Sequence, residues 1–348
     1  MSLKERQSAS APDLGELALL RRIREMACQD RPKSLRLGIG DDCALLSLRP
    51  GEEMAITTDL SIAGRHFRLD WHQPESIGHR ALARGLSDLA AMGARPIAAF
   101  LSLGLPRELI TSSNGRIPWV QRFLDGLLAL ARANNTELAG GDLSESPLPI
   151  ADIVLTGAVP RGKALLRSGA RPRNLLYVTG ALGGAAAALT RLADLVGSSR
   201  LTAGKPHPPR IPKRLAALLA PHLNPQPRIA QGLLLQQREI ASAAIDLSDG
   251  LSTDLSHICE ESGVAAEVDS ALLPIHPGAN LALALNGGED YELLFTAPAT
   301  ARIPRKIAGV PITCIGRIVK ARAVKPPVTL LTPQGPRPLE PQGWQHFC

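Results

Sequence analysis

The sequence predicts a mixed α/β protein, with α+β mixed sheets, built as two domains. Three observations carry that prediction. Short apolar runs rich in β-branched residues alternate with stretches of helical spacing. The chain has 348 residues, more than a single hydrophobic core usually serves. Near Gly157 a strand gives way to the basic connector VPRGKALLRSG and then to a fresh strand-Gly-helix unit, LLYVTGALGGAAAAL. The division is therefore placed between residues 1–156 and 157–348.

Taken in order, the expected strands are MAITTDL, IAAFLSLGL, ADIVLTGAV, LLYVTGA and ELLFTA. Residues 74–93 predict a helix, with proline near its start, Ile77, Ala81 and Leu89 at compatible spacing and a glycine after the last turn. That helix carries Asp88 near its C-terminal end. A second helix is expected from Gly250 to Gly263, where Leu251, Leu255 and Ile258 repeat on one face. Residues 196–212, rich in proline, glycine and basic side chains, read as an exposed loop.

Composition narrows the function. The five cysteines are widely spaced and never form Cys-x-x-Cys, which argues against a disulfide framework or a zinc knuckle. No apolar run reaches membrane-spanning length and the N-terminal MSLKERQSAS is polar, so a soluble, cytoplasmic protein is expected, without a membrane partner. A net charge of +7 suits a polyanionic ligand. Only 3% of residues are aromatic and no nucleic-acid-binding signature is present, so nucleic acid is not the expected partner.

The chemistry resides in acids at the ends of strands and helices. The stretch LRLGIGDDCALL sets Asp41 and Asp42 side by side at the mouth of an expected buried strand. Two carboxylates about 5 Å apart at an effective dielectric near 20 repel by roughly 3 kcal/mol. Asp59, Asp88, Asp142, Asp246, Asp249, Glu289 and Asp290 stand in similar places. Each alone reads equally as a turn or cap. Were they to converge, as sites in α/β proteins do at strand ends, their repulsion would call for counter-charge. Mg²⁺ answers that need, because it takes oxygen ligands and shares them with substrate phosphates. Thr57, Thr58 and Ser248 flank the acids and offer hydroxyls.

Neither a Gly-x-x-x-x-Gly-Lys-Ser/Thr loop nor the protein-kinase motif set is present. TGALGGAAAAL reads either as a phosphate-binding turn or as tight helix packing. The cluster Arg161, Lys163 and Arg167 reads either as solvated surface or as a phosphate clamp.

Read together, GIGDDCALL, AITTDLSIAGRHF, IGHRALARGLSDLAAMGARP, LAGGD, GKALLRSGARP, AIDLSDGLSTDLSHI, GGEDYELLFT and GWQHF closely resemble the thiamine-monophosphate kinase family. LSDLAAMGA or GGED alone would suggest only the wider aminoimidazole-ribonucleotide synthetase-like superfamily. The resemblance implies the two-domain architecture of that superfamily. The N-terminal α/β domain binds metal and nucleotide and pairs its sheet with a second copy in a homodimer; the C-terminal α/β domain completes the site. It implies transfer of the γ-phosphoryl group of ATP to thiamine monophosphate, with several Mg²⁺ ions.

Carried over by motif, Asp42, Thr57, Thr58, Asp59, Asp88, Asp142, Asp246 and Asp249 form the metal shell, with Asp59, Asp88 and Asp249 closest to catalysis. Gly141, Arg167 and Ser248 contact nucleotide, and His66, Glu289 and Trp344 meet the thiamine side. His66 and Glu289 also read as a structural histidine and a turn cap. Two departures stand out: Trp344 where the family more often has tyrosine, and LSES at Leu143 to Ser146, which puts Glu145 where a cation is usual. That acid keeps open a non-catalytic nucleotide-binding relative, alongside another ATP-using member of the superfamily with a different acceptor.

Overall fold

The computed structural model describes residues 16–27, 34–111, 117–200, 208–321 and 326–344. The first half runs α1 (Glu16–Ala27), β1 (Leu35–Leu37), β2 (Leu45–Leu46), β3 (Glu52–Ile62), α2 (Pro74–Ala91), β4 (Arg95–Leu105), α3 (Trp119–Ala133), β5 (Glu137–Glu145) and β6 (Ile150–Pro160). Strands β3, β6, β4 and β5 form a four-stranded sheet in that order. Its first two pairings are antiparallel and β4/β5 is parallel.

Helix α2 is the scaffold of the site. Proline opens it, where a missing N–H costs nothing, and Gly93 at φ 64° follows its end. Its apolar side, with Leu82, Leu86 and Leu89, is fully buried. It approaches α3 so closely that a Cβ on Gly78 would come within 1.9 Å of the Phe123 carbonyl oxygen, and one on Gly126 within 1.9 Å of that of Glu75. Glycine at both positions lets the two backbones touch, which fixes where the polar side of α2 points.

The second half runs β7 (Asn174–Thr179), α4 (Gly184–Arg200), α5 (Lys213–Leu223), α6 (Ile229–Gln237), β8 (Ala243–Asp246), α7 (Leu251–Ser262), β9 (Val264–Asp269), α8 (Leu281–Asn286), β10 (Leu293–Pro298), β11 (Lys306–Ile307), β12 (Val310–Lys320), β13 (Val328–Thr332) and β14 (Gly335–Pro338). These strands make one larger sheet in the order β14-β13-β9-β12-β7-β10-β8, with β11 paired to β12. All its pairings are antiparallel except β9 with β13. Helix α7 starts after Gly250 and ends on Gly263 in the left-handed conformation, as its periodicity predicts.

The two halves share a core. Leu86, Leu89 and Leu155 of the first belong to the same buried cluster as Ala244, Leu293 and Phe295 of the second. At this junction a Cβ on Gly232 of α6 would lie 1.9 Å from the Ala90 carbonyl oxygen of α2.

The structure departs from the sequence expectations at three places. Gly157 lies inside β6, paired with Ala55 and Pro96, so a cut at 156/157 would divide a strand. Residues up to Arg200 continue α4 instead of forming a loop, and residues 201–207 lie outside the described part. The strand expected to be buried after Asp41 and Asp42 is the two-residue β2, with Leu45 51% exposed.

Candidate active site

A cleft of about 510 Å³ opens between α2, β3, the start of α4 and the loops that follow β8 and α8. Its acid end is built by three elements. Alternation along β3 turns Thr57 and Asp59 toward α2 and leaves Ile56, Thr58 and Leu60 on the exposed face. Asp88 sits in the last turn of α2, where the helix dipole disfavours an acid and local stability cannot account for it. Asp246 ends β8 and is 4% exposed.

Thr57 donates its hydroxyl to Asp88, and Ser87 donates to Asp246 at 2.7 Å. Arg84 Nη2 lies 3.3 Å from Asp59 Oδ1. Burial, and then the Asp88 charge, push Asp59 up to about 6 against the pull of Arg84. Burial, with Asp88 and Asp59 adding to it, pushes Asp246 up to about 7. Asp88 is raised as well, chiefly by burial. Three carboxyls thus crowd one end of the cleft, with Arg84 paired to Asp59 and the Arg167 charge reaching Asp88, a field that favours added cations.

The turn after β8 presents Ser248 and Asp249 to the cleft. It is pinned by Asp254, whose Oδ2 accepts the backbone N–H groups of Ser248, Asp249 and Gly250 at 3.1 Å each. Burial pushes Asp254 up to about 8 although these donors pull it down. The C-terminal segment lies across this turn, with the Trp344 N–H donating to the Asp249 carbonyl at 3.2 Å.

The opposite end is basic and aromatic. Arg80 Nη2 donates to both oxygens of Glu289 at 2.7 Å, and its Nη1 donates to the His66 carbonyl at 3.1 Å. His66 Nδ1 in turn accepts the Ile62 N–H at 3.1 Å. Burial alone would raise Glu289, but Arg80 and His222 outweigh it and hold the carboxyl well below the ordinary range. Glu289 has φ 66° and Tyr291 φ 50°, left-handed conformations that cost energy in side-chain-bearing residues and gather at functional sites. Trp71, His72, His222, Leu189 and Trp344 complete this end.

Of the residues singled out in the sequence, Asp59, His66, Asp88, Asp246, Ser248, Asp249, Glu289 and Trp344 line the cleft. Thr57 stands behind it on Asp88. Arg167 is near enough for its charge to lower Asp88. Asp42, Thr58, Gly141 and Asp142 are not among the lining residues. Asp42 and Asp142 are exposed, and Thr58 is on the far face of β3 because strand neighbours alternate. Gly141 has φ 145°, and a Cβ there would meet the Leu101 carbonyl oxygen at 1.9 Å.

The structure places both ambiguous segments. The Gly183 and Ala185 N–H groups at the glycine-rich turn donate to Asp290 at 2.5 and 3.1 Å, so that turn is closed by the protein's own acid. In the basic cluster Lys163 pairs with Glu239 at the surface, at 2.7 Å, while the exposed Arg167 is near enough for its charge to lower Asp88. Glu145 of the LSES segment pairs with Arg107 at 3.1 Å on an exposed edge.

Sequence reasoning missed Arg80, Arg84, Asp254, Trp71, His72 and His222. The first two had a signal, since Arg80, Arg84 and Asp88 recur every four residues and so share one side of α2. The histidines are 150 residues apart and had none.

Fold and cleft together define a class of mixed α/β proteins with an acid-lined cleft where two sheets meet. Residues 40–159 match the family described as AIR synthase related protein, N-terminal domain. Within it, the chain is 42% identical to thiamine-monophosphate kinase of Salmonella typhimurium over 87% of this chain and 90% of the relative. The crystal structure of thiamine-monophosphate kinase from Stenotrophomonas maltophilia K279a superposes with a TM-score of 0.74 at 37% identity, over 90% of this chain and 96% of that one. A solved AaThiL complex with AMPPCP and TMP gives a TM-score of 0.70 at 29% identity, covering 98% of this chain and all (100%) of that one. The chain belongs to the thiamine-monophosphate kinase family.

Proposed function

We propose that this protein transfers the γ-phosphoryl group of ATP to the phosphate of thiamine monophosphate, forming thiamine diphosphate and ADP. The observation that carries the proposal is one cleft with buried acids at one end and Arg80, Glu289, His66 and Trp344 at the other. Polyphosphate belongs at the acid end with its cations, and the cationic thiazolium belongs beside Glu289 and the indole of Trp344.

The donor set at the acid end fits magnesium. Its groups are oxygen only; burial raises Asp59, Asp88 and Asp246, and neighbouring acids add to it at Asp59 and Asp246. Among the described residues no three acids, histidines or cysteines are grouped so as to hold a metal ion by themselves; Mg²⁺ commonly takes part of its coordination from substrate phosphates. Asp59, Asp88, Asp246 and Asp249 would hold it. When bound, such ions neutralise charge on the meeting phosphates. On the family resemblance Thr57, behind Asp88, joins the metal shell, and Arg167 and Ser248 join the nucleotide contacts; Asp42, Thr58, Gly141 and Asp142, which the resemblance also names, lie outside the lining of this cleft.

The chain's own groups supply orientation and charge. Arg84 is close enough to Asp59, Tyr291 and Glu289 to be influenced by all three, which sets its guanidinium between the two ends of the cleft. There it pairs with the phosphoryl group in flight, as phosphoryl transfer with a loose transition state requires. The acceptor is a phosphate oxygen, ionised at neutral pH, so neither an enzyme nucleophile nor a strong base is needed. Direct in-line transfer follows.

We further propose that the protein acts in the cytoplasm as a homodimer. No helix among the described residues is long and apolar enough to cross a membrane. The exposed face of β3 carries Met54, Ile56 and Leu60 at 38, 63 and 46% exposure, an apolar stripe suited to a second copy.

The test is incubation of the purified chain with ATP, Mg²⁺ and thiamine monophosphate. Formation of thiamine diphosphate in step with ADP is expected. Nucleotide binding without turnover would make the chain a non-catalytic relative, and turnover only with another acceptor would reassign its substrate.

A further inference from the structure

We propose that His72 and His222 form a relay with a fixed direction of donation that positions Glu289 at the acceptor end of the cleft, and that both are positioning residues for the proposed reaction. The inference rests on the acceptor-side reading of Glu289 given above.

The two imidazoles meet Nε2 to Nε2 at 3.0 Å, and the residues are 2% and 3% exposed. A hydrogen bond between two such nitrogens needs one proton, so one ring donates and the other accepts. Which is which can be worked out from each end separately.

At the first end, His72 Nδ1 is 3.1 Å from both the N–H and the carbonyl oxygen of Arg68. That carbonyl already accepts the backbone N–H groups of Trp71 and His72, at 3.2 and 3.0 Å. Its two lone pairs are taken, so His72 Nδ1 is the acceptor of the Arg68 N–H. In the neutral ring the proton is then on Nε2, and His72 donates to His222.

At the other end, His222 Nδ1 is buried, has no aligned hydrogen-bond partner among the described residues, and lies 3.2 Å from Glu289 Oε2. Arg80 holds that carboxylate ionised, so it offers only acceptors. A bare nitrogen facing it would be repelled, which places the proton on His222 Nδ1 and leaves Nε2 to accept. Both ends give the same direction: Arg68 N–H to His72, His72 Nε2–H to His222, and His222 Nδ1–H toward Glu289. Burial lowers the proton affinity of both rings, which keeps them neutral.

The relay has a task. Glu289 is held at φ 66°, a conformation that persists only where its surroundings over-determine it. Arg80 fixes the carboxylate from α2, and the histidines fix it from α5 and from the segment before α2.

The tautomers are read directly by ¹⁵N NMR of the imidazoles in the full chain, assigned with His72→Leu and His222→Leu. Protons on Nε2 of His72 and Nδ1 of His222 are expected; the reverse arrangement, or a doubly protonated ring at neutral pH, overturns the relay. In kinetics, His222→Leu should raise KM for thiamine monophosphate about tenfold and leave KM for ATP alone, as loss of an N–H facing a charged carboxylate implies. His222→Asn, whose amide N–H stands near the place of Nδ1, should restore most of it. The double variant should be no worse than either single one, because both cut the same chain. Equal loss in both KM values, or no change in either, overturns the proposal. Glu289→Gln separates the two readings: if it leaves KM for thiamine monophosphate unchanged, the acceptor-side assignment fails, whereas if it alone raises KM, the relay fails.

Discussion

Ser87 on α2 donates its hydroxyl to Asp246 Oδ2 over 2.7 Å, and this bond joins the two halves of the molecule at the acid end of the cleft. Residues 159 positions apart are thereby held in one site. Asp246 is buried beside Asp88 and Asp59, so the fold keeps it at a cost in stability.

Asp246→Asn should therefore stabilise the protein and inactivate it. The amide keeps an acceptor for Ser87 and removes one of the crowded charges. The expected gain is about 1 kcal/mol or more, roughly 2 °C in Tm. Thermal melts beside a thiamine diphosphate assay check it. Asp59→Asn and Asp249→Asn should likewise abolish turnover with the fold retained, and full activity in either would remove that residue from the site.

Arg84 gives the opposite prediction. Arg84→Ala leaves Asp59 without its guanidinium and removes the cation between the two ends of the cleft. Turnover should fall on the order of 100-fold, with Arg84→Lys retaining part of it because charge survives without the planar fork. Steady-state kinetics decide this, and an unchanged kcat in Arg84→Ala would exclude the residue from transfer.

The buried histidines predict an acid-side dependence of stability. Burial, with the Arg80 charge adding to it, lowers His72 from 6.5 to about 3. Between these values the unfolded chain binds a proton that the folded chain does not, so this contribution to stability falls as pH drops below about 6.5. Raised aspartates such as Asp246 and Asp290 act in the reverse sense in an overlapping window, losing stability as pH rises toward about 7. The His72 contribution is therefore read as a difference. The stability of His72→Leu minus that of the wild type should rise by up to about 1.4 kcal/mol per pH unit on acidification below 6.5. Denaturant unfolding at several pH values measures it, and a flat difference would refute it.

The apolar stripe on β3 tests the assembly. Ile56, 63% exposed, should tolerate aspartate in a monomer and should not in a dimer closed across that face. Light scattering after size exclusion is expected to give a dimer for the wild type and a monomer for Ile56→Asp. A monomeric wild type would end the homodimer proposal.

Periodicity and turn residues made much of the fold legible. Pro74 and Gly93 bracket α2, Gly250 and Gly263 bracket α7, and the β-branched runs fall on β3, β4, β6, β7 and β10. These are local signals, set by dihedral preference and by alternation along one element. Helix α1 and the short β1 carried no comparable pattern, and Gly157, read as a point of division, lies inside β6.

The sequence by itself determined that carboxylates end the elements and that the motifs are those of a phosphate-transferring family, because residue type and spacing are properties of the chain. Only the tertiary structure decided which carboxylates meet. Asp59 and Thr58 are neighbours in sequence, yet the strand pleat sends one into the cleft and the other to the surface. His72 and His222 become partners only where α5 packs beside the segment leading into α2, and Glu289 depends on that packing for its place. Direction and proximity across the core arise from packing, which is settled by all the elements together and written in no single stretch.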